Sequence, residues 1–450
     1  MTRGRLLALW AALVVLAACV SALIPPMQSP DEHSHVFRAQ ALAHGQLRME
    51  TPPGQSTGVY VDEGLIYFVQ PHLWKIVSER AARLTPHEKE LTHAKRWEGK
   101  AHFVQIPGTG YYFPLVYAPH AVGIGLGELL GLSVVHSYRL MRVVCIAASL
   151  ALLVAAFRIA RPPLLAIALL LLPMTVYQLV QPTLDGFTTS LAVLALSLFT
   201  RRIMEPEGGS RREDWVLAGC LFLLATSRVH LAPLLLLPLY LAWRRKSPAA
   251  AVPGVVALAA TLAWTGYALA TTVDARVKRD HTTAQLVLQY VQHPLDFVRI
   301  VWASVTDEKL GTEYSRSFIG VLGWLDTHLA LHWYTALWIG LALCLLVSAL
   351  RAPLRQAAEG RAVLVLGAVA SVALAFFALL VTWTPHPAKT IEGIQGRYFI
   401  VPALAVAYAL ASPAGAAPPD RLRWVAWGLG GAFAAAALYA LVEAILGRYH

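Results

Sequence analysis

An all-α polytopic membrane protein is the fold class this sequence predicts, on three observations. Of its 450 residues, 57% are hydrophobic and only 14% are charged, a balance foreign to soluble globular domains. Apolar runs of bilayer length recur from end to end, and strands with open edges cannot satisfy their backbone in lipid, so the runs are read as helices. The net charge of +11 gathers in short turns between those runs: Arg158/Arg161, Arg201/Arg202, Arg211/Arg212, Arg244/Arg245/Lys246, Arg351/Arg355/Arg361 and Arg421/Arg423. That distribution is the positive-inside signal of cytoplasmic turns, and it accounts for the basic balance without nucleic acid. The expected architecture is a helical bundle of about 11–13 membrane segments. Two large outer loops, 25–110 and 273–331, complete it.

The first run, Leu6–Ile24, is long enough to span, and Arg3 and Arg5 hold its start in the cytoplasm. Leu16-Ala17-Ala18-Cys19 resembles a lipoprotein cleavage box, but such tetrapeptides arise easily in Ala/Leu-rich helices, and an uncleaved first helix is preferred. Next comes Ser29-Pro30-Asp31-Glu32-His33-Ser34-His35. Ser29 is a natural N-cap, Pro30 suits the first helical position, and Glu32 completes a capping box. On the helix so started, Asp31, His35 and Arg38 share one face at i, i+4 and i+7. Farther along the loop, Gly58–Val69 reads as strand-like or membrane-grazing, and Ser78–Lys100 as a highly charged helix. The later apolar segments are 112–131, 138–157, 163–180, 184–200, 215–229, 231–243, 252–272, 333–350, 362–384, 397–412 and 424–446. Counting crossings from the arginine turns leaves 112–131 one too many. Its Pro114, Pro119, Gly123, Gly125 and Gly127 fit a re-entrant or broken helix, and a loop assigned to the wrong side is the alternative. In the second loop, Leu286–Val305 is amphipathic and is expected along the interface, and Phe318–Asp326 is expected to fold back against the membrane.

Ionisable residues in or beside membrane helices are costly and call for a reason. The candidates are Arg139, Arg142, Asp185, Arg228, His230, Arg397 and Glu443. Asp185 opens its segment on the same outer side as Asp31, either as a second carboxylate of a site or as an N-cap. Arg397 enters a segment from outside within Gly393-Ile394-Gln395-Gly396-Arg397-Tyr398, against the positive-inside bias. A guanidinium fork there suits phosphate, with Gln395 and Tyr398 as further donors and the glycines letting a ligand approach the backbone. Arg228 and His230 interrupt 215–243 at an outer turn and can add positive charge against the same phosphate. No cofactor is expected. A divalent metal shared by His35 with Asp31 or Glu32 is the less favoured reading, since His33 and His35 point apart on a helix. The four cysteines lie inside apolar runs and form neither a metal spacing nor an outer disulfide pair.

Pro30-Asp31-Glu32-His33-Ser34-His35-Val36-Phe37-Arg38-Ala39 with Gly45, Asp185-Gly186, Gly320–Asp326 and Gln395-Gly396-Arg397-Tyr398-Phe399 resemble the bacterial polytopic family catalogued as domain of unknown function 2142. That family is in turn similar to the GT-C glycosyltransferases. The resemblance implies one GT-C-like membrane domain over 1–450, in a bacterial inner membrane, with its site facing the periplasm or exterior. It implies a polyprenyl-phosphate sugar as donor and a glycan or lipid of the envelope as acceptor, without nucleic acid. By position, Asp31 is similar to the first-loop catalytic acid and Asp185 to the carboxylate of the second outer loop. The expected catalytic set is Asp31, Glu32 and Asp185. The expected substrate-binding set is His35, Arg38, Arg228, His230, Gln395, Arg397 and Tyr398. A transporter or flippase of a lipid-linked saccharide, or a non-catalytic partner in envelope assembly, is the alternative. A transporter should show paired internal repeats, and none is evident.

Overall fold

A computed structural model describes residues 3–79, 82–205, 210–276, 281–412 and 420–450. The side chains of Arg3 and Arg421, both read above as cytoplasmic markers, lie outside the described residues. The chain starts with α1 (Arg3–Ala22) and α2 (Glu32–Ala43). A small hairpin-like unit follows: β1 (Gly58–Asp62), α3 (Glu63–Ser78), α4 (Pro86–His93) and β2 (Ala101–Gln105), with β1 and β2 antiparallel and Tyr60 opposite Phe103. Then come α5 (Ala118–Leu129), α6 (Val134–Ile159), α7 (Leu164–Leu171), α8 (Pro173–Leu179), α9 (Leu184–Met204), α10 (Arg211–Ser227), α11 (Leu236–Arg244) and α12 (Pro248–Thr271). The second loop holds α13 (Thr283–Gln292), α14 (Pro294–Thr306), α15 (Glu308–Gly320) and the two-residue pair β3 (Val321–Leu322) and β4 (Thr327–His328). The chain closes with α16 (Leu331–Arg351), α17 (Ala358–Thr382), α18 (Ile400–Ala409) and α19 (Asp420–Tyr449).

The fold is the all-α polytopic one. Seven helices among the described residues are long and apolar enough to cross a membrane: α1, α6, α9, α12, α16, α17 and α19. The other apolar segments are shortened or broken. The 163–180 segment divides into α7 and α8 where Pro173 removes a backbone donor. The 112–131 segment becomes a 3-10 turn, Pro114–Tyr117, and the 12-residue α5. At 1.5 Å per residue α5 is about 18 Å long, too short for a hydrocarbon core of about 30 Å. It packs against α6 because Gly123 and Gly127 have no side chain; a Cβ on either would lie 2.5 Å from Met141 or Ser137.

Four local expectations change. α2 starts at Glu32, two residues late, because Asp31 adopts the left-handed conformation (φ 61°) and makes no cap hydrogen bond. Only the reach-back half of the capping box survives, with the Ser29 backbone N–H donating to Glu32 Oε2 at 3.1 Å. Gly58–Val69 divides into β1 and the start of α3, and Ser78–Lys100 contains one short helix, α4, begun by Pro86 behind the cap Thr85. The 318–326 segment turns back at Gly323 (φ 63°) onto the first loop: Trp324 Nε1 donates to the Met27 carbonyl at 2.9 Å and its indole stacks on His33.

The arginine turns lie at one end of the bundle. Arg202 and Arg245 both pair with Asp214, Arg244 donates to the Ile203 carbonyl, and Arg361 donates to the carbonyls of Ala409 and Ala411. Along α9, Arg202 lies 17 residues beyond Asp185, about 26 Å of helix. The two long loops therefore meet at the opposite end, where the Thr57 N–H donates to the Val273 carbonyl (2.9 Å) and the Ala275 N–H to Ser56 Oγ (3.1 Å).

Candidate functional site

At that end three charged side chains from distant parts of the sequence converge. Asp185 sits in the first turn of α9 behind Thr183. It is aimed by Gly186, where a Cβ would come within 2.7 Å of the Gln178 carbonyl, so α8 and α9 can touch backbone to backbone. Arg228 is the residue at which α10 ends and a 3-10 turn, Val229–Leu235, begins. Its Nε donates to Asp185 Oδ1 at 3.1 Å and its Nη2 reaches the same oxygen. Arg397 lies in the 3-10 turn Gly396–Phe399 that opens α18, and its Nη1 donates to Asp185 Oδ2 at 3.2 Å. The carboxylate thus spans two guanidiniums, and the three groups together carry a net charge of +1.

The remaining shell is aromatic and polar. Arg228 Nη1 donates to the Tyr112 hydroxyl at 3.2 Å. The Tyr112 ring stacks on His35, 6.0 Å between centroids, and His35 Nδ1 shares a 2.9 Å hydrogen bond with the Tyr117 hydroxyl. Burial, then the nearby Arg228, pushes His35 well below the usual imidazole range, so this ring is neutral at pH 7. A cleft between these elements is lined by Gln178, Asp185, Thr189, Arg228, His230, Arg397 and Tyr398. The Arg397 side chain is only 8% exposed, and its Nε has no hydrogen-bond partner among the described residues. The Nε atoms of Arg38, Arg142, Arg201 and Arg202 are in the same state, so this atom by itself marks no ligand.

Asp31 stands at the rim. It is exposed, and its carboxylate has no hydrogen bond or ion pair among the described residues. It lies within electrostatic reach of Arg397, Tyr112 and Tyr117 on one side and of Arg276 on the other. Arg276 is itself held in a fork by Asp274, at 2.8 and 2.7 Å.

Of the residues singled out from sequence, Asp185, Arg228, His230, Arg397 and Tyr398 line one cleft, with His35 and Asp31 beside it. Three others point elsewhere. Glu32 is fully buried and accepts from the Met27 and Ser29 N–H groups and from the Tyr138 hydroxyl, with Arg142 at 3.7 Å. Arg38 turns to the far end of α2, where it donates to the carbonyls of Gln46 and Leu47 (2.9 and 2.7 Å). Gln395 lies outside the cleft lining. The glycines beside it serve the fold: a Cβ on Gly396 would lie 2.0 Å from the Phe318 backbone nitrogen, and Gly393 takes a positive φ against Trp383. Glu443 accepts from Trp333 Nε1, and Arg142 clamps the carbonyls of Ser21, Ile24 and Pro25 to the Gln181 side chain. Glu32 faces Tyr138 and His35 Nδ1 faces Tyr117, so these two side chains turn to different partners. Among the described residues no three His, Cys, Asp or Glu side chains gather as a metal cluster.

Sequence reasoning missed Tyr112, Tyr117 and Gln178. Tyr112 and Tyr117 flank Pro114 in the broken segment, and that aromatic–proline cluster ahead of a re-entrant helix was their available signal.

No curated protein and no solved structure matches this chain. A family model does match, over residues 13–408, nearly the whole described bundle and both long loops. The chain therefore belongs to the family described as a predicted membrane protein (DUF2142).

Proposed function

We propose that this protein is a membrane glycosyltransferase that moves a sugar from a polyprenyl-phosphate donor to a glycan or lipid acceptor of the cell envelope, with inversion at the anomeric carbon. The observation that carries the reading is the Arg228–Asp185–Arg397 cluster. It has a net positive charge and a cleft beside it, at the end of the bundle away from the arginine turns. A phosphodiester of charge −1 would neutralise that cluster. In this reading the cleft faces the periplasm or exterior and the arginine turns face the cytoplasm of a bacterial inner membrane.

The chemistry asks little of the protein, because a lipid phosphate is a good leaving group. Asp31 takes the proton of the acceptor hydroxyl as that oxygen bonds to the anomeric carbon. The bond from that carbon to the phosphate oxygen breaks, and its electron pair leaves on the phosphate, where Arg397 and Arg228 stabilise the charge. Asp185 holds the two guanidiniums in register, and the neutral His35 with Tyr112 braces Arg228 from behind. Glu32 is a positioning residue: it pins the 27–31 turn that presents Asp31.

The experiment is release of sugar from a panel of radiolabelled polyprenyl-phosphate sugars by the purified protein in lipid, with membrane extract as acceptor source and Asp31→Asn alongside. Turnover that vanishes in Asp31→Asn is the expected result. Turnover near wild type in that variant refutes the base assignment. Donor that binds without ever being consumed refutes the transferase and favours a flippase.

A further inference from the structure

Helices α13 and α14 divide their surface into three sectors, and two of them are accounted for by the protein and by water. Leu286, Tyr290 and Phe297 turn inward, where Leu286 and Tyr290 pack against Phe376, Leu380 and Val381 at the last turns of α17. Gln289, Gln292, Asp296 and Arg299 form an exposed polar sector. The third sector is apolar and bare: Leu288, Val291, Leu295, Val298, Trp302 and Val305 are each 51–71% exposed. Their spacing, alternately three and four residues, holds across the His293–Pro294 junction. α13 and α14 are separate helices joined at His293, and on α14 alone the four stripe residues cover an arc of roughly 80° beside Asp296 and Arg299. A helix with one side on protein, one on water and one wide apolar side fits the line where a membrane protein, its lipid and the aqueous phase meet.

The position of the pair fits that line. Large exposed tryptophans mark both ends of the bundle: Trp215, Trp243, Trp424 and Trp427 beside the arginine turns, and Trp338 and Trp383 at the cleft end. Tryptophan gathers at the two headgroup levels of a bilayer. Trp383 follows α17 directly, and Trp302 of the bare stripe lies on the helix pair packed against that same end of α17. The stripe is thus continuous with the level of the cleft-side headgroups.

We infer that the apolar stripe of α13 and α14 seats in the cleft-side leaflet of the bilayer, so that acyl chains are the partner of this surface. The seat also bears on the cleft. Ser304 Oγ of α14 accepts from the Ile391 N–H and Ser317 Oγ of α15 from the Gly396 N–H, both at 2.8 Å. The segment that delivers Arg397 is therefore tied at Ile391 to the seated α14 and at Gly396 to α15, the helix that follows it. The inference does not rest on the transferase reading.

The test uses spin labels in the full-length protein reconstituted in phosphatidylglycerol/phosphatidylethanolamine bilayers, in a Cys19→Ser background. Labels are placed at Val298→Cys and Val305→Cys on the stripe, and at Gln292→Cys on the polar sector. Power-saturation EPR then compares collisions with oxygen, which enriches in lipid, and with a water-soluble nickel chelate. The expected result is oxygen-dominated access at 298 and 305 and chelate-dominated access at 292. Chelate-dominated access at the stripe overturns the inference. So does low access to both reagents with dipolar broadening between labels, which would mean that a second copy covers the stripe. Size-exclusion profiles of the labelled variants check that each is folded. No substrate enters this experiment, so its failure and the failure of the transferase assay are separable.

Discussion

Replacing Asp185 by Asn, a change of charge at nearly constant shape, should destabilise the cleft end of the bundle while strengthening its hold on anions. Asp185 contacts Arg228 at 3.1 Å and Arg397 at 3.2 Å, with side chains 16%, 17% and 8% exposed respectively. At an effective dielectric of about 20, each such contact is worth about 5 kcal/mol of Coulomb attraction, most of it offset by the desolvation already incurred. Breaking a buried pair while its partner stays charged costs about 3–5 kcal/mol, because the remaining charge is uncompensated. Here two guanidiniums would remain and repel one another. With an unfolding entropy of about 2 cal/mol/K per residue, that loss lowers the melting temperature of the 450-residue chain by about 3–5 °C. The assay is thermal unfolding in lipid nanodiscs, with and without inorganic phosphate. Phosphate should restore part of the loss in Asp185→Asn, and adding Arg397→Gln to Asp185→Asn should recover part of it by removing one of the two repelling charges. A melting point within about 1 °C of wild type, or strictly additive effects in the double variant, would show that the three groups do not act as one unit.

Four further outcomes follow from the same geometry. Asp31→Asn should leave the melting temperature unchanged while abolishing sugar release, since its exposed carboxylate has no partner among the described residues to lose and Asn also accepts the left-handed conformation. Glu32→Ala should cost about 3–5 kcal/mol in chemical denaturation, because the Met27 and Ser29 N–H groups and the Tyr138 hydroxyl lose their buried acceptor. Gly396→Ala, with its Cβ 2.0 Å from the Phe318 backbone nitrogen, should displace the Arg397 strand; isothermal titration with a polyprenyl phosphate would read at least about a tenfold loss of affinity, 1.4 kcal/mol. His35 has a folded value well below its unfolded one near 6.5, so the unfolded chain takes up the extra proton in acid. Its contribution to stability is complete above about pH 6.5 and is lost as pH falls below it, by about 1.4 kcal/mol per pH unit; His35→Gln should remove that one-proton slope from stability measured between pH 7 and 5.

The arginine turns and the apolar runs determined the class of the molecule by themselves, because lipid admits so few backbone solutions that composition and period suffice. Prolines marked the breaks in the same way: Pro114 and Pro173 interrupt segments where they remove a backbone donor. Individual site residues were legible where their cost was local. Asp185, Arg228 and Arg397 stood out as charges that a membrane segment would not carry without a reason, and all three reach one cleft. Glu32 and Arg38 share the short acidic–histidine motif with Asp31, and one-dimensional spacing could not separate their roles. Only packing decided that Glu32 turns inward to Tyr138 while Asp31, in a left-handed turn, stays at the rim. Likewise Gly396 looked like room for a ligand, and the tertiary structure filled that room with the backbone of Phe318. The physical reason is the same in each case. Burial and period are summed over many residues and survive in the sequence, whereas the direction of a single carboxylate depends on donors 106 or 212 positions away, such as Tyr138 for Glu32 and Arg397 for Asp185.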